Sequence, residues 1–211
     1  CNCACGQERP KQGWQYEPEV IPDAPETGYQ IEECTLEDME QPAGICRFQD
    51  KIVVSDKEKH CLFVLNPDGE LLECIGALGG GQVEFMQPTG LTVHGGRLYV
   101  LDAGNDRIQI LDGDFQFVES IALGALVHKQ GDHFYIDIAV DEDGIIYVST
   151  DSTGRLDSFL YVVEDGEVSH LETPFVGYLE ECNGEVYAAD SMELYEEGGT
   201  EIGQSGSNSL Y

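Results

Sequence analysis

"LYVLDAGNDRIQILD" (98–112) holds two apolar runs around a charged, turn-like centre. Leu, Tyr and Val make up the first run and Ile and Leu the apolar positions of the second, and Ala-Gly-Asn-Asp separates them, as two strands joined by a tight turn require. The same pattern occurs one offset upstream. Residues 41–76, "QPAGICRFQDKIVVSDKEKHCLFVLNPDGELLECIG", align without a gap on 87–122, "QPTGLTVHGGRLYVLDAGNDRIQILDGDFQFVESIA". Gln, Pro, Gly, Val, Asp, Leu, Asp, Glu and Ile coincide, and most other apolar positions stay apolar. The stretch is one unit of an array.

A third copy is carried by 138–171, with small insertions, and a fourth by "YLEECNGEVYAADSMELYEEGGTEIG" (178–203), with a shortened second half. In the second copy four short β-type runs, "GLTV", "RLYVLD", "RIQILD" and "FVESIAL", are broken by "HGG", "AGND" and "GDF". Four antiparallel strands per unit of about 40–50 residues mark a propeller blade, whose two faces are buried only by stacking on neighbours. The expected fold is all-β, a β-propeller of four-stranded antiparallel blades. About four blades are visible, as an open arc or a fragment of a closed ring, which the family resemblance below makes six-bladed.

The stretch 75–112, "IGALGGGQVEFMQPTGLTVHGGRLYVLDAGNDRIQILD", resembles an NHL-repeat blade with its Gly-rich connector. Gly76, Gly79, Gly81, Phe85, Pro88, Gly90, Tyr99, Val100, Asp102, Asn105, Arg107 and Ile108 carry the resemblance. It is strong over 41–122 and weaker over 138–203, where Tyr147, Asp151, Tyr187 and Asp190 persist. The family implies a ring of six blades. The reading assigns blades to 41–76, 87–122, 136–171 and 177–203, within a propeller region spanning 29–211. Residues 29–40 are expected to supply the outer strand of a preceding blade, and 204–211 the start of a further one.

Ahead of the repeats, residues 1–28 are polar, Pro-rich and poor in aliphatics, as an extended tether is. Cys1 followed by such a tether resembles the mature end of a bacterial lipoprotein. That resemblance implies lipidation at Cys1 and an extracytoplasmic, membrane-anchored location, with the lipid as the sole membrane contact. Seven further cysteines stand at 3, 5, 34, 46, 61, 74 and 182, without zinc-ribbon spacing. Buried thiols or local disulfides are expected of most.

With 10 Lys and Arg against 41 Asp and Glu, the net charge is −31. Such a surface offers few cations to displace counterions from a phosphate backbone, which argues against nucleic acid as a partner.

Four acids, Asp56, Asp102, Asp151 and Asp190, recur at the end of each second strand. A carboxylate there can cap turn N–H groups, and Asp102 can pair with Arg107. "NPDGE" (66–70) and "DEDG" (141–144) lack the full spacing of a calcium loop and read as turns. "GALGGGQ" (76–82) precedes no helix and reads as the connector between blades. No catalytic motif is present.

Ligand sites in propellers lie where the innermost strands converge. The axial candidates are Arg47, His133, Tyr135, Asp137, Tyr178 and Glu180. His133, Tyr135 and Asp137 alternate along one strand and are expected to share a face. The function read from these features is non-enzymatic binding or scaffolding, with a protein, peptide or glycan partner and no cofactor. The alternative is a metal-dependent lyase or lactonase-type hydrolase, as some related propellers resemble, with an axial site for a metal such as calcium.

Overall fold

Short runs of β-branched and aromatic residues, punctuated by residues that tolerate positive φ, set the hairpins. In the computed structural model, which describes residues 38–124, 133–152, 158–173, 177–190 and 208–209, they form antiparallel meanders. The first blade comprises β1 (Pro42–Phe48), β2 (Lys51–Asp56), β3 (Cys61–Leu65) and β4 (Leu71–Ile75). The second comprises β5 (Pro88–His94), β6 (Arg97–Asp102), β7 (Arg107–Leu111) and β8 (Phe117–Ala122). The third comprises β9 (His133–Val140), β10 (Ile146–Ser152), β11 (Ser158–Glu164) and β12 (Glu167–Thr173). The fourth has β13 (Gly177–Cys182), β14 (Glu185–Asp190) and β15 (Asn208–Ser209).

The turns follow from their residues. Gly95-Gly96, Asp165-Gly166 and Asn183-Gly184 all have positive φ and close two-residue hairpins, as a type I′ turn demands. Asn66 Oδ1 accepts the N–H groups of Asp68 and Glu70, and Asp141 Oδ1 those of Asp143 and Ile145. The stretches that superficially suggested calcium loops are thus side-chain-capped turns.

The core lies between blades. Phe48, Leu62 and Val64 of the first blade pack with Leu98, Val100 and Leu111 of the second. The other face of the second blade sends Tyr99, Leu101 and Ile108 against Ile138, Val148 and Tyr161 of the third. A smaller cluster, Ala139, Leu160, Leu179 and Val186, joins the third to the fourth. Each fully buried Leu, Ile or Val contributes about 1.5–3 kcal/mol of transfer free energy. The β6 run "LYVL" is therefore apolar at consecutive positions, because both of its faces are covered.

The Gly-rich stretch is the connector from the first blade to the second. Phe85, fully buried, anchors it, and Arg107 donates to the carbonyls of Gly80, Gly81 and Glu84 at 2.8–2.9 Å.

One expectation changes, and another falls almost wholly outside the described residues. Asn208–Ser209 pair with Ala188 and Tyr187 of β14, so this part of 204–211 adds a third strand to the fourth blade instead of opening another. Of the outer strand expected over 29–40, only 38–40 fall among the described residues, and they form a turn and bend. The tether at 1–28 lies outside the described residues.

Candidate axial site

The first strands of the four blades, β1, β5, β9 and β13, pack side by side around the axis. Glycine permits the approach. A Cβ on Gly90 would lie 2.8 Å from the Ile138 nitrogen and 2.7 Å from Asp137 Oδ1. One on Gly44 would collide with the Thr89 carbonyl. Side chains then staple the strands. Ser55 Oγ accepts the Gly44 N–H at 2.9 Å and donates to the Thr89 carbonyl of the next blade. Ser149 Oγ donates to the Gly177 carbonyl at 2.7 Å, joining the third blade to the fourth.

These strands border a cavity of about 690 Å³. Arg47, Asp137, Tyr178 and Glu180 line it together with Ile45, Thr92, Glu181 and Tyr187. Four blades contribute to this one space. Ile45 and Tyr178 are 69% and 60% exposed, large apolar surfaces beside charged ones.

Asp137 is the most embedded of the charged groups that line the cavity. Its Oδ1 accepts the Ile138 N–H at 2.9 Å and its Oδ2 the Leu179 N–H at 3.0 Å. Burial pushes its carboxyl above the ordinary value, and the Glu180 charge adds to that, against the two N–H donors.

Tyr135 does not join the set. A bulge lies at Ile136, because Asp137 pairs with Ser149 while Tyr135 pairs with the adjacent Thr150. The extra residue breaks the alternation. Tyr135 instead is buried in the core between the second and third blades, its ring centroid 6.3 Å from that of Tyr161. Burial, and then the nearby Asp106 carboxylate, raise its phenol. His133 begins β9 opposite Ser152, and its side chain lies outside the described residues, as does Cys1.

Two of the recurring acids, Asp56 and Asp102, gather turn and connector donors. Asp56 accepts the N–H groups of Glu40, Gln41, Glu58 and Lys59. Burial pushes its carboxyl up, but these donors together hold it below the usual range. Asp102 accepts from the Met86 N–H, Asn105, Arg107 and Gln109. The side chains of Asp151 and Asp190 lie outside the described residues. Among the described residues, no three His, Cys, Asp or Glu side chains cluster as metal ligands.

Sequence reasoning passed over Ile45, Thr92, Glu181 and Tyr187, and the two serine staples. A two-residue step back from Arg47 along the same strand would have found Ile45.

No curated protein matches the sequence. A Bacteroides fragilis NCTC 9343 protein described as exported superposes with TM-score 0.54 and 17% identity, over 76% of this chain and 48% of its own. A Bacteroides caccae protein of unknown function gives 0.52 and 14%, over 76% and 57%. A Bacteroides uniformis ATCC 8492 protein described as a 6-phosphogluconolactonase gives 0.50 and 19%, over 71% and 47%. At these identities the likeness is one of fold, and the chain matches about half the length of each structure. Residues 32–200 match the family described as 6-bladed beta-propeller, and the chain belongs to that family.

Proposed function

We propose that this chain is a non-enzymatic binding or scaffold module, outside the bacterial cytoplasm, that offers its axial cavity to a protein, peptide or glycan. The observation that supports it most is the exposure of Ile45 and Tyr178 on a cavity that Arg47 and Glu180 also border. Large apolar side chains left in water beside oriented charges favour a partner that covers the first and pairs with the second. The blades are read as NHL-type on the residues of 75–112, and the anchor as a lipid on Cys1 ahead of its polar tether.

The test is a screen of the purified chain against immobilised glycans and a displayed peptide library, with Tyr178→Ala and Arg47→Glu in parallel. Saturable binding that both variants weaken supports the reading. Binding indifferent to both sinks it. The alternative, a metal-dependent lyase or lactonase, would have to draw its ligands from Asp137, Glu180 and Glu181, which border the same cavity without clustering as a ligand set. Calcium uptake by the chain, lost in Glu180→Gln, together with turnover of a lactone panel, would favour that alternative.

A further inference from the structure

The first blade carries a feature that axial binding does not use. Cys61 begins β3 and Cys74 lies on the neighbouring β4, where Cys74 pairs with Phe63. Cys61 is two residues from Phe63 and so on the same face as Cys74. Their sulfurs are 2.7 Å apart, both unbonded thiols. The other described cysteines, Cys46 on β1 and Cys182 at the end of β13, have no sulfur neighbour within hydrogen-bond distance among the described residues.

A disulfide bond measures about 2.05 Å. Closure therefore asks for a sulfur movement of well under 1 Å, within reach of side-chain rotation. The pair also has access. A depression of about 370 Å³, bordered by Lys59, Phe63, Leu71 and Leu78, reaches both cysteines. Cys74 is exposed and Cys61 is buried.

We infer that Cys61 and Cys74 are a disulfide-forming pair that staples β4 to β3. The oxidant is a small-molecule or protein disulfide. The Cys74 thiolate attacks one sulfur of that disulfide, forms a mixed disulfide and releases the first thiol. Cys61 then gives its proton to solvent, attacks the Cys74 sulfur and releases the second thiol. Two thiols are oxidised to one S–S bond, and one external disulfide is reduced to two thiols. The order follows from exposure. Burial, and then the hydrogen bond with Cys74, raise the Cys61 thiol and keep it protonated, so the first attack falls to Cys74.

The bond matters because of where it sits. β4 is the last strand of its sheet, paired on one side to β3. Its Leu71 and Leu72 are exposed. Such a strand opens before the rest of the blade does. Tying it to β3 closes a short chain loop and holds the blade edge in place under oxidising conditions.

The experiment uses the full chain, treated with oxidised glutathione or with a phosphine reductant, then alkylated and cleaved after glutamate. Cleavage at Glu70 or Glu73 separates the two cysteines, so a bond between them appears as a linked pair of peptides. The expected result is a Cys61–Cys74 link with Cys46 and Cys182 still alkylated. Amide exchange over Leu71–Ile75 should slow by about tenfold or more on oxidation, and Cys74→Ser should abolish that slowing. Alkylation of both cysteines after oxidation, or a link from either to another cysteine, overturns the pairing. Unchanged exchange with the link in place overturns the stapling role.

Discussion

Asp137 on β9 and Leu179 on β13 are joined across two blades: the Asp137 Oδ2 accepts the Leu179 N–H at 3.0 Å. The same carboxylate borders the axial cavity. Burial, with the Glu180 charge behind it, outweighs the N–H donors and holds the carboxyl above 3.8. A raised value in the fold means that the neutral acid is favoured there. The stability this group contributes, relative to the unfolded chain, is therefore fully present below 3.8 and is lost as pH rises through the folded value. Asp137→Asn stays neutral throughout. The urea midpoint of the native chain, measured against that variant from pH 3 to 7, should fall relative to it as pH rises. A difference that does not change with pH would count against the assignment.

The inner strands should be sensitive to single atoms. Ser55→Ala removes the staple to Thr89 and the acceptor for Gly44, at a buried position. The expected loss is about 1–3 kcal/mol, the cost of leaving buried polar groups unpaired. Gly90→Ala places a methyl 2.8 Å from the Ile138 nitrogen, which forces the second and third blades apart. Overpacking of this kind costs about 1–3 kcal/mol. Equilibrium urea unfolding measures both. A neutral Gly90→Ala would mean that β5 and β9 pack less closely than the 2.8 Å approach to the Ile138 nitrogen implies.

The repeat was readable because each blade buries both faces between neighbours. That requirement writes apolar residues and turn residues at a fixed spacing, so Gln41-Pro42 and Gln87-Pro88 align and the two blades that they open follow. Gly44 and Gly90 also stood out, since only the smallest residue fits where inner strands meet. Tyr135 was misplaced for a local reason: one extra residue at Ile136 reverses the side-chain alternation, and no residue type marks such a bulge. The serine staples were invisible because a buried serine between strands looks like any polar residue in an alternating run. The third strand of the fourth blade was missed because it is separated from β14 by a long sequence interval and carries only Asn208–Ser209. Pairing across such an interval leaves no periodic trace.

Asp102 concentrates several roles in one buried group. It is fully buried and takes four donors, among them Arg107 Nε at 2.7 Å and the Met86 N–H at 2.7 Å. Arg107 in turn holds three connector carbonyls. Asp102→Ala strips the partner from a mostly buried cation and should cost about 3–5 kcal/mol. The loss should be local first. Amide exchange over 79–86 should accelerate before that of β6 and β7, whose pairing does not depend on the carboxylate. Uniform acceleration across the second blade would indicate that the connector is not the element Asp102 supports.

Tyr178 separates a binding role from a structural one. It is 60% exposed, so truncation should leave stability within about 0.5 kcal/mol of the parent. As an aromatic anchor at the cavity, however, it should contribute about 2 kcal/mol or more to partner affinity, near thirtyfold in Kd. Val118 on β8 is also partly exposed but lies outside the cavity. Val118→Ala therefore serves as the matched control, with affinity expected to be unchanged. Arg47→Glu should act mainly on the association rate, since it reverses one of the few positive charges on a strongly acidic chain. The three variants are compared by surface plasmon resonance with whichever peptide or glycan the screen returns. If Tyr178→Ala and Val118→Ala weaken binding equally, the partner does not sit in the axial cavity, and the exposed ring there is only a surface residue.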